Sequence, residues 1–111
     1  MPILPIISLK AGPLPLSAQF NAPSDAPSTL IVSGSVWTLS NNQMIGVTVQ
    51  LDGKALGSAS IFSNASSTHR ATVPAYIPVK LTFGAHTITL VPQNSVTTSD
   101  LNDYFNVVLD Y

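Results

Sequence analysis

The chain reads as an all-β protein, an antiparallel two-sheet β-sandwich of jelly-roll or immunoglobulin-like topology, on three observations. Ile45, Val47, Val49 and Leu51 alternate with Gly46, Thr48 and Gln50 and run into Leu51-Asp52-Gly53-Lys54, the pattern of a strand entering a tight hairpin. Ile77, Val79, Leu81 and Phe83 alternate in the same way, Gly84-Ala85 fits a type II′ turn, and His86, Ile88 and Leu90 alternate on the return. No window sustains the helical period, so almost no helix is expected.

Each element follows in order. Six of the nine prolines fall within residues 1–28, a density that forbids helix and a central strand. Ile3 to Lys10 and Leu14 to Phe20 are therefore edge strands, or else residues 1–20 form an apolar arm laid on a neighbouring subunit. Thr29 to Leu39 is a long strand whose small middle, Ser33-Gly34-Ser35, is the place for a bend that would let it change sheets. In the Asp52-Gly53 hairpin a bulged three-residue loop would set Val49 opposite Ala55, Val47 opposite Gly57 and Ile45 opposite Ala59. A plain two-residue turn would instead put serines opposite the apolar stripe. The second hairpin needs no bulge and would pair Phe83 with His86, Leu81 with Ile88 and Val79 with Leu90. Pro92 to Asp103 is the longest loop, and Tyr104 to Tyr111 closes the domain with Phe105, Val107, Leu109 and Tyr111 on one face. At 111 residues all of this is one domain, residues 1–111.

Composition narrows the function. Charged residues are 8% of the chain, where about a quarter is usual, and Ser, Thr, Asn and Gln, 35 in all, solvate the surface instead. Four scattered cations and a net charge of −1 give no basic stripe, so nucleic acid is not an expected partner. With no cysteine, disulfides, thiolate metal sites and a cysteine nucleophile are excluded. The apolar start Met1-Pro2-Ile3-Leu4-Pro5-Ile6-Ile7 has no basic n-region and is broken by prolines, so it does not read as a signal peptide. No run approaches the roughly 18 apolar residues of a membrane helix. The expectation is cytoplasmic synthesis without membrane insertion, with non-classical release left open.

No nucleophile elbow, acidic pair on matched strands or other catalytic signature is present, and a non-enzyme is expected. The candidate ligand-binding residues are Arg70, His69, Trp37, Asn64, Asp100, Asn102 and Asp103. Arg70 is the one guanidinium, able to hold vicinal hydroxyls or a carboxylate in bidentate fashion, or else to form a surface ion pair with an Asp. Alternation sends His69 and Arg70 to opposite faces, so at most one of them joins a given site. Trp37 is either a core residue between Val36 and Leu39 or an exposed stacking platform. Asn64 offers an amide on the polar loop Ser63 to Ser67. His86 reads as a hydrogen-bonded, half-buried imidazole. Asp100, Asn102 and Asp103 put three oxygen-bearing side chains within four residues, which is part of a hard-cation shell or a turn whose Asx side chains cap backbone amides.

The run Asp100-Leu101-Asn102-Asp103, followed by the Val-rich terminal strand, resembles the calcium loop of small bacterial fucose- and mannose-binding lectins. Those are short, charge-poor, signal-less β-sandwiches that oligomerise. The resemblance implies calcium as cofactor with Asp100, Asn102 and Asp103 as its ligands, and a glycan as partner. The hairpin segments around Asp52-Gly53 and Gly84-Ala85 also resemble accessory sandwich modules of enzymes and phage proteins, which bears on the fold. The function expected is a self-associating, lectin-like carbohydrate-binding module, a homodimer or homotrimer. The alternative is a structural or attachment subunit of a phage or surface assembly, whose neutral surface is consumed by subunit contacts.

Overall fold

The computed structural model describes residues 2–111; Met1, the first residue of the expected arm, lies outside them. Among the described residues the strands are β1 (Ile3–Ala11), β2 (Leu16–Ala22), β3 (Pro27–Val36), β4 (Gln43–Leu51), β5 (Lys54–Ser63), β6 (Arg70–Ala71), β7 (Ala75–Lys80), β8 (Gly84–Pro92) and β9 (Tyr104–Asp110). They form a five-stranded sheet, in which β1, β9 and β3 lie side by side and both β6 and β7 pair with β3, and a four-stranded sheet ordered β2-β8-β4-β5. All pairs are antiparallel. The order β1-β9-β3-β7 against β2-β8-β4-β5 is that of a jelly roll, so this topology, not the immunoglobulin-like one, is adopted. Apart from the β4–β5 hairpin and the step from β6 to β7, each connection passes from one sheet to the other. No helix of the described residues is long and apolar enough to cross a membrane.

The inward stripes meet as alternation requires. Leu30, Val32 and Val36 of β3 and Phe105, Val107 and Leu109 of β9 face Ile45, Val47 and Val49 of β4 and Ile88 and Leu90 of β8, all fully buried. The proline-rich start forms the outer strand of each sheet. β1 pairs with β9 and β2 with β8. Ile7 is buried, Leu4 and Ile6 pack against the core, and Ile3 and Leu9 stay exposed. Pro5 fits because an edge strand has one side on which a missing N–H costs nothing.

Two expected registers are corrected. In the first hairpin Leu51 pairs with Lys54 across a true two-residue turn, with Asp52 (φ 50°) and Gly53 (φ 87°) both left-handed. The bulge lies further down, between the Val49–Gly57 and Gln50–Ala55 pairs, and it sets Val47 opposite Ala59 and Ile45 opposite Ile61. The Asp-Gly turn matches the strand twist, and the extra residue, Leu56, then restores the apolar face that a plain turn would have lost. The second expected hairpin does not exist. β7 pairs with β3, whereas β8 pairs with β2 and β4, so Leu90 lies opposite Val49 and not Val79. The stripes of Ile77–Val79 and Ile88–Leu90 match because both face one core from opposite sheets, and alternation reports the face of a strand without naming its neighbour. Phe83, expected opposite His86, is exposed, and His86 pairs with Phe20.

Gly34 marks no change of sheet. β3 stays beside β9 through the Gly34–Phe105 pair, and the missing side chain leaves room for the Phe105 ring, which a Cβ at position 34 would overlap. Gly34→Ala should therefore cost about 1–3 kcal/mol through overpacking, seen as a lower urea midpoint with an unchanged slope. An unaltered midpoint would mean that Phe105 can move aside.

Candidate functional site

The chemistry-bearing side chains gather at the end of β3 that carries Val36. The anchor is Asp103, whose side chain has no exposed surface. Its Oδ1 accepts the Ser35 hydroxyl at 2.8 Å and the His69 Nδ1–H at 2.7 Å, and its Oδ2 accepts the Asp100 N–H at 2.9 Å. Three donors on one carboxylate are what allows a charge to lie this deep. Asp100 Oδ1 accepts the Asn102 N–H at 2.8 Å, and the Asp103 N–H donates to the Asp100 carbonyl at 3.1 Å, so residues 100–103 form an Asx turn.

His69 closes the group from across the molecule. With Nδ1–H on Asp103, its Nε2 lies 3.7 Å from Asp100 Oδ2. The side chain is 38% exposed and its pKa is raised, chiefly by the hydrogen bond to Asp103, with partial burial opposing and the Asp103 and Asp100 charges adding. Trp37 is half-buried between buried Val36 and Thr38. Its backbone exchanges hydrogen bonds with Thr98, N–H to O at 2.9 Å and O from N–H at 2.7 Å, which ties β3 to the loop before β9. The indole ring lies 5.7 Å from the His69 ring at an interplanar angle of 40°. Trp37 is thus partly packed, with its ring beside an imidazole and its indole Nε1 closed off from solvent without a partner among the described residues.

His69, Asp100 and Asp103 bring ligand atoms within 4.8 Å of one another, a grouping able to hold a metal ion. Asp100 and Asp103 belong to the expected calcium set. Asn102, its third member, is exposed and contributes its N–H to Asp100. As a donor set, two carboxylates and an imidazole are less than a hard cation requires, so calcium here would take Asp100 Oδ2, reach Asp103 only by displacing one of its donors, and complete its shell from carbonyls and water. Arg70 opens β6 opposite Val36 and makes no ion pair with any described residue; Asn64 is exposed in the loop between β5 and β6. Ser35 was missed by the sequence reading, since nothing local separates it from the other serines.

The second histidine lies elsewhere. His86 donates Nδ1–H to Asp52 Oδ2 and Nε2–H to the Thr82 carbonyl, both at 2.7 Å, clipping the β4–β5 turn to the β7–β8 connection. Two acceptors facing both nitrogens favour imidazolium, and the pKa is raised, first by Asp52 and then by Thr82.

Neither a protein-family model nor a curated protein sequence matches this chain. Among solved structures it is similar to dimeric latent PorU from Porphyromonas gingivalis, with a TM-score of 0.56 at 7% identity over 97% of this chain. The chain spans 12% of the length of PorU. It is also similar to the C-terminal domain of EclA, described as a sugar-binding protein, with a TM-score of 0.50 at 18% identity over 96% of this chain and 75% of that one. A carbohydrate-binding module, CBM36 in complex with calcium and xylotriose, follows at a TM-score of 0.47 and 13% identity over 97% and 98% of the two chains. At such identities the likeness to the PorU and EclA structures shows a shared fold alone.

The raised pKa of His69 gives the site a pH signature. The His69–Asp103 bond contributes its full stabilisation below the ordinary histidine pKa, and that contribution fades as pH rises through the raised value. Wild type should therefore exceed His69→Gln in denaturant midpoint more at about pH 5.5 than at about pH 9. Equal differences at the two pH values would refute the charged pair.

Proposed function

We propose that this chain is a non-enzymatic carbohydrate-binding module whose glycan lies against Trp37, His69 and the Asp100–Asp103 turn. The observation that carries this reading is a half-buried tryptophan 5.7 Å from an imidazole held by a buried carboxylate, beside a second, part-exposed carboxylate. Aromatic faces suit the C–H surface of a sugar ring, and Asp100 Oδ2 is free of strong donors and suits its hydroxyls. Asn64, Arg70 and Asn102 lie on the neighbouring loops and the start of β6, where amide and guanidinium groups can extend the contact to further hydroxyls. The charge-poor surface and the fold shared with the EclA domain support the same reading. Calcium belongs to the proposal as the cation that Asp100 and Asp103 would hold, with Asn102 beside them.

A glycan array run in millimolar calcium and again in chelator tests this. Binding should appear in calcium, and Asp100→Asn should weaken it about tenfold or more, as expected when a charged acceptor is lost. Calcium alone should raise the melting temperature, because a ligand bound only by the native state stabilises it by mass action. Silence on every glycan in both conditions would remove the reading.

The second reading is a structural or attachment subunit of a phage or surface assembly. In its favour, one register row on the outer side of the five-stranded sheet is apolar throughout: Pro5, Val108, Ile31 and Tyr76, the last 68% exposed. Such a row would also serve self-association of the module as a dimer or trimer. Light scattering at micromolar concentration should then give a mass of two or three chains. A monomer would remove self-association from both readings.

A further inference from the structure

The next register row on that same sheet, Ile3, Asp110, Thr29 and Pro78, ends in a concavity. Pro27, Ser28, Thr29, Pro78, Asp110 and Tyr111 line a groove of about 270 Å³ at the Pro27 end of β3. From Thr29 to Ser35 the strand extends roughly 20 Å, so the groove is remote from Asp103. Asp110 Oδ1 is closed off from solvent, yet no hydrogen bond from any described residue reaches it. No lysine or arginine of the described residues lies within ion-pair distance; the three ion pairs among them all involve histidines. Lys80 stands opposite Pro27 on the neighbouring strand, exposed and unpaired with Asp110.

A carboxylate oxygen kept from water without a donor is costly, and a cation set against the groove side of the same carboxylate would offset that cost by neutralising its charge. We propose that this groove binds a small primary-ammonium group, with the Asp110 carboxylate as its anchor.

The lining selects the class. A hard metal ion needs six to eight oxygens, and one carboxylate with the hydroxyls of Ser28 and Thr29 falls short. A guanidinium is a planar fork that seeks both oxygens of a carboxylate side by side, whereas an ammonium is a compact charge that needs one. Pro27 and Pro78 supply apolar walls for the attached carbons, and Tyr111 completes the lining. Tyr111 is held there by its N–H, which donates to the Pro2 carbonyl at 3.0 Å. The volume lies just below the range of drug-sized pockets, which suits one functional group better than a whole ligand.

The test is a titration of the labelled protein with n-propylammonium chloride and, in parallel, n-propanol, followed by amide shifts in NMR. Saturable shifts at Ser28, Thr29, Asp110 and Tyr111 are expected with the ammonium and not with the alcohol. Asp110→Asn, nearly isosteric, should weaken binding about tenfold as the charge is lost, and raised ionic strength should weaken it in the wild type. Shifts that never saturate, that propanol reproduces, or that survive both Asp110→Asn and high salt would overturn the proposal. Should the variant not fold, the salt series on the wild type decides.

Discussion

A carboxylate with no exposed surface must find every one of its donors within the protein, and at Asp103 that requirement joins segments far apart in the chain. Ser35 comes from β3, His69 from the loop before β6, and the Asp100 N–H from the turn before β9. Leaving any of the three out would strand part of a buried charge, so the end of the sandwich closes around this residue in one arrangement. The Trp37–Thr98 bridge reinforces the same closure from the backbone side. The candidate site is a by-product of that packing: His69 is held in a single orientation and Asp100 is left with one oxygen facing outward.

The two outer faces of the sandwich have different chemistries. On the four-stranded sheet, Ser17 pairs with Thr89 and Thr48 with Ser58, with hydroxyl contacts of 3.1 Å and 2.7 Å. On the five-stranded sheet, Ile31, Val108 and Tyr76 make an apolar row that ends beside the Asp110 groove. Hydroxyls that satisfy one another across strands leave a neutral surface around them, although the exposed Met44–Phe62 pair on the same sheet is apolar, while the other sheet has an apolar row and a carboxylate without a partner among the described residues.

Much of the fold was legible because burial imposes a period of two. The inward stripes of Ile45–Leu51, Ile88–Leu90 and Phe105–Leu109 are legible in the alternation, as is the existence, though not the register, of the hairpin at Asp52-Gly53. The Asx turn at Asp100 was one of the two readings offered for that loop, and its hydrogen bonds are local, spanning two and three residues. The meeting of Asp103 with His69 and Ser35 was not legible, since it spans 34 and 68 residues and no local pattern encodes it.

The sequence by itself determined which residues face the core, that a tight turn falls at Asp52-Gly53, and that the surface would be hydroxyl-rich and poor in charge. These depend on side-chain polarity and on backbone preferences of one or two residues, which are properties of short stretches. Outside the β4–β5 hairpin, tertiary structure alone decided strand partners. It sent β7 to β3 and β8 to β4, placed the bulge at Leu56, and chose the jelly roll. It also drew Asp103, His69 and Trp37 together and left Asp110 without a donor. The physical reason is that an inward stripe is equally content in either sheet, and only the simultaneous packing of all strands, with every buried polar group seeking a partner, selects among the arrangements.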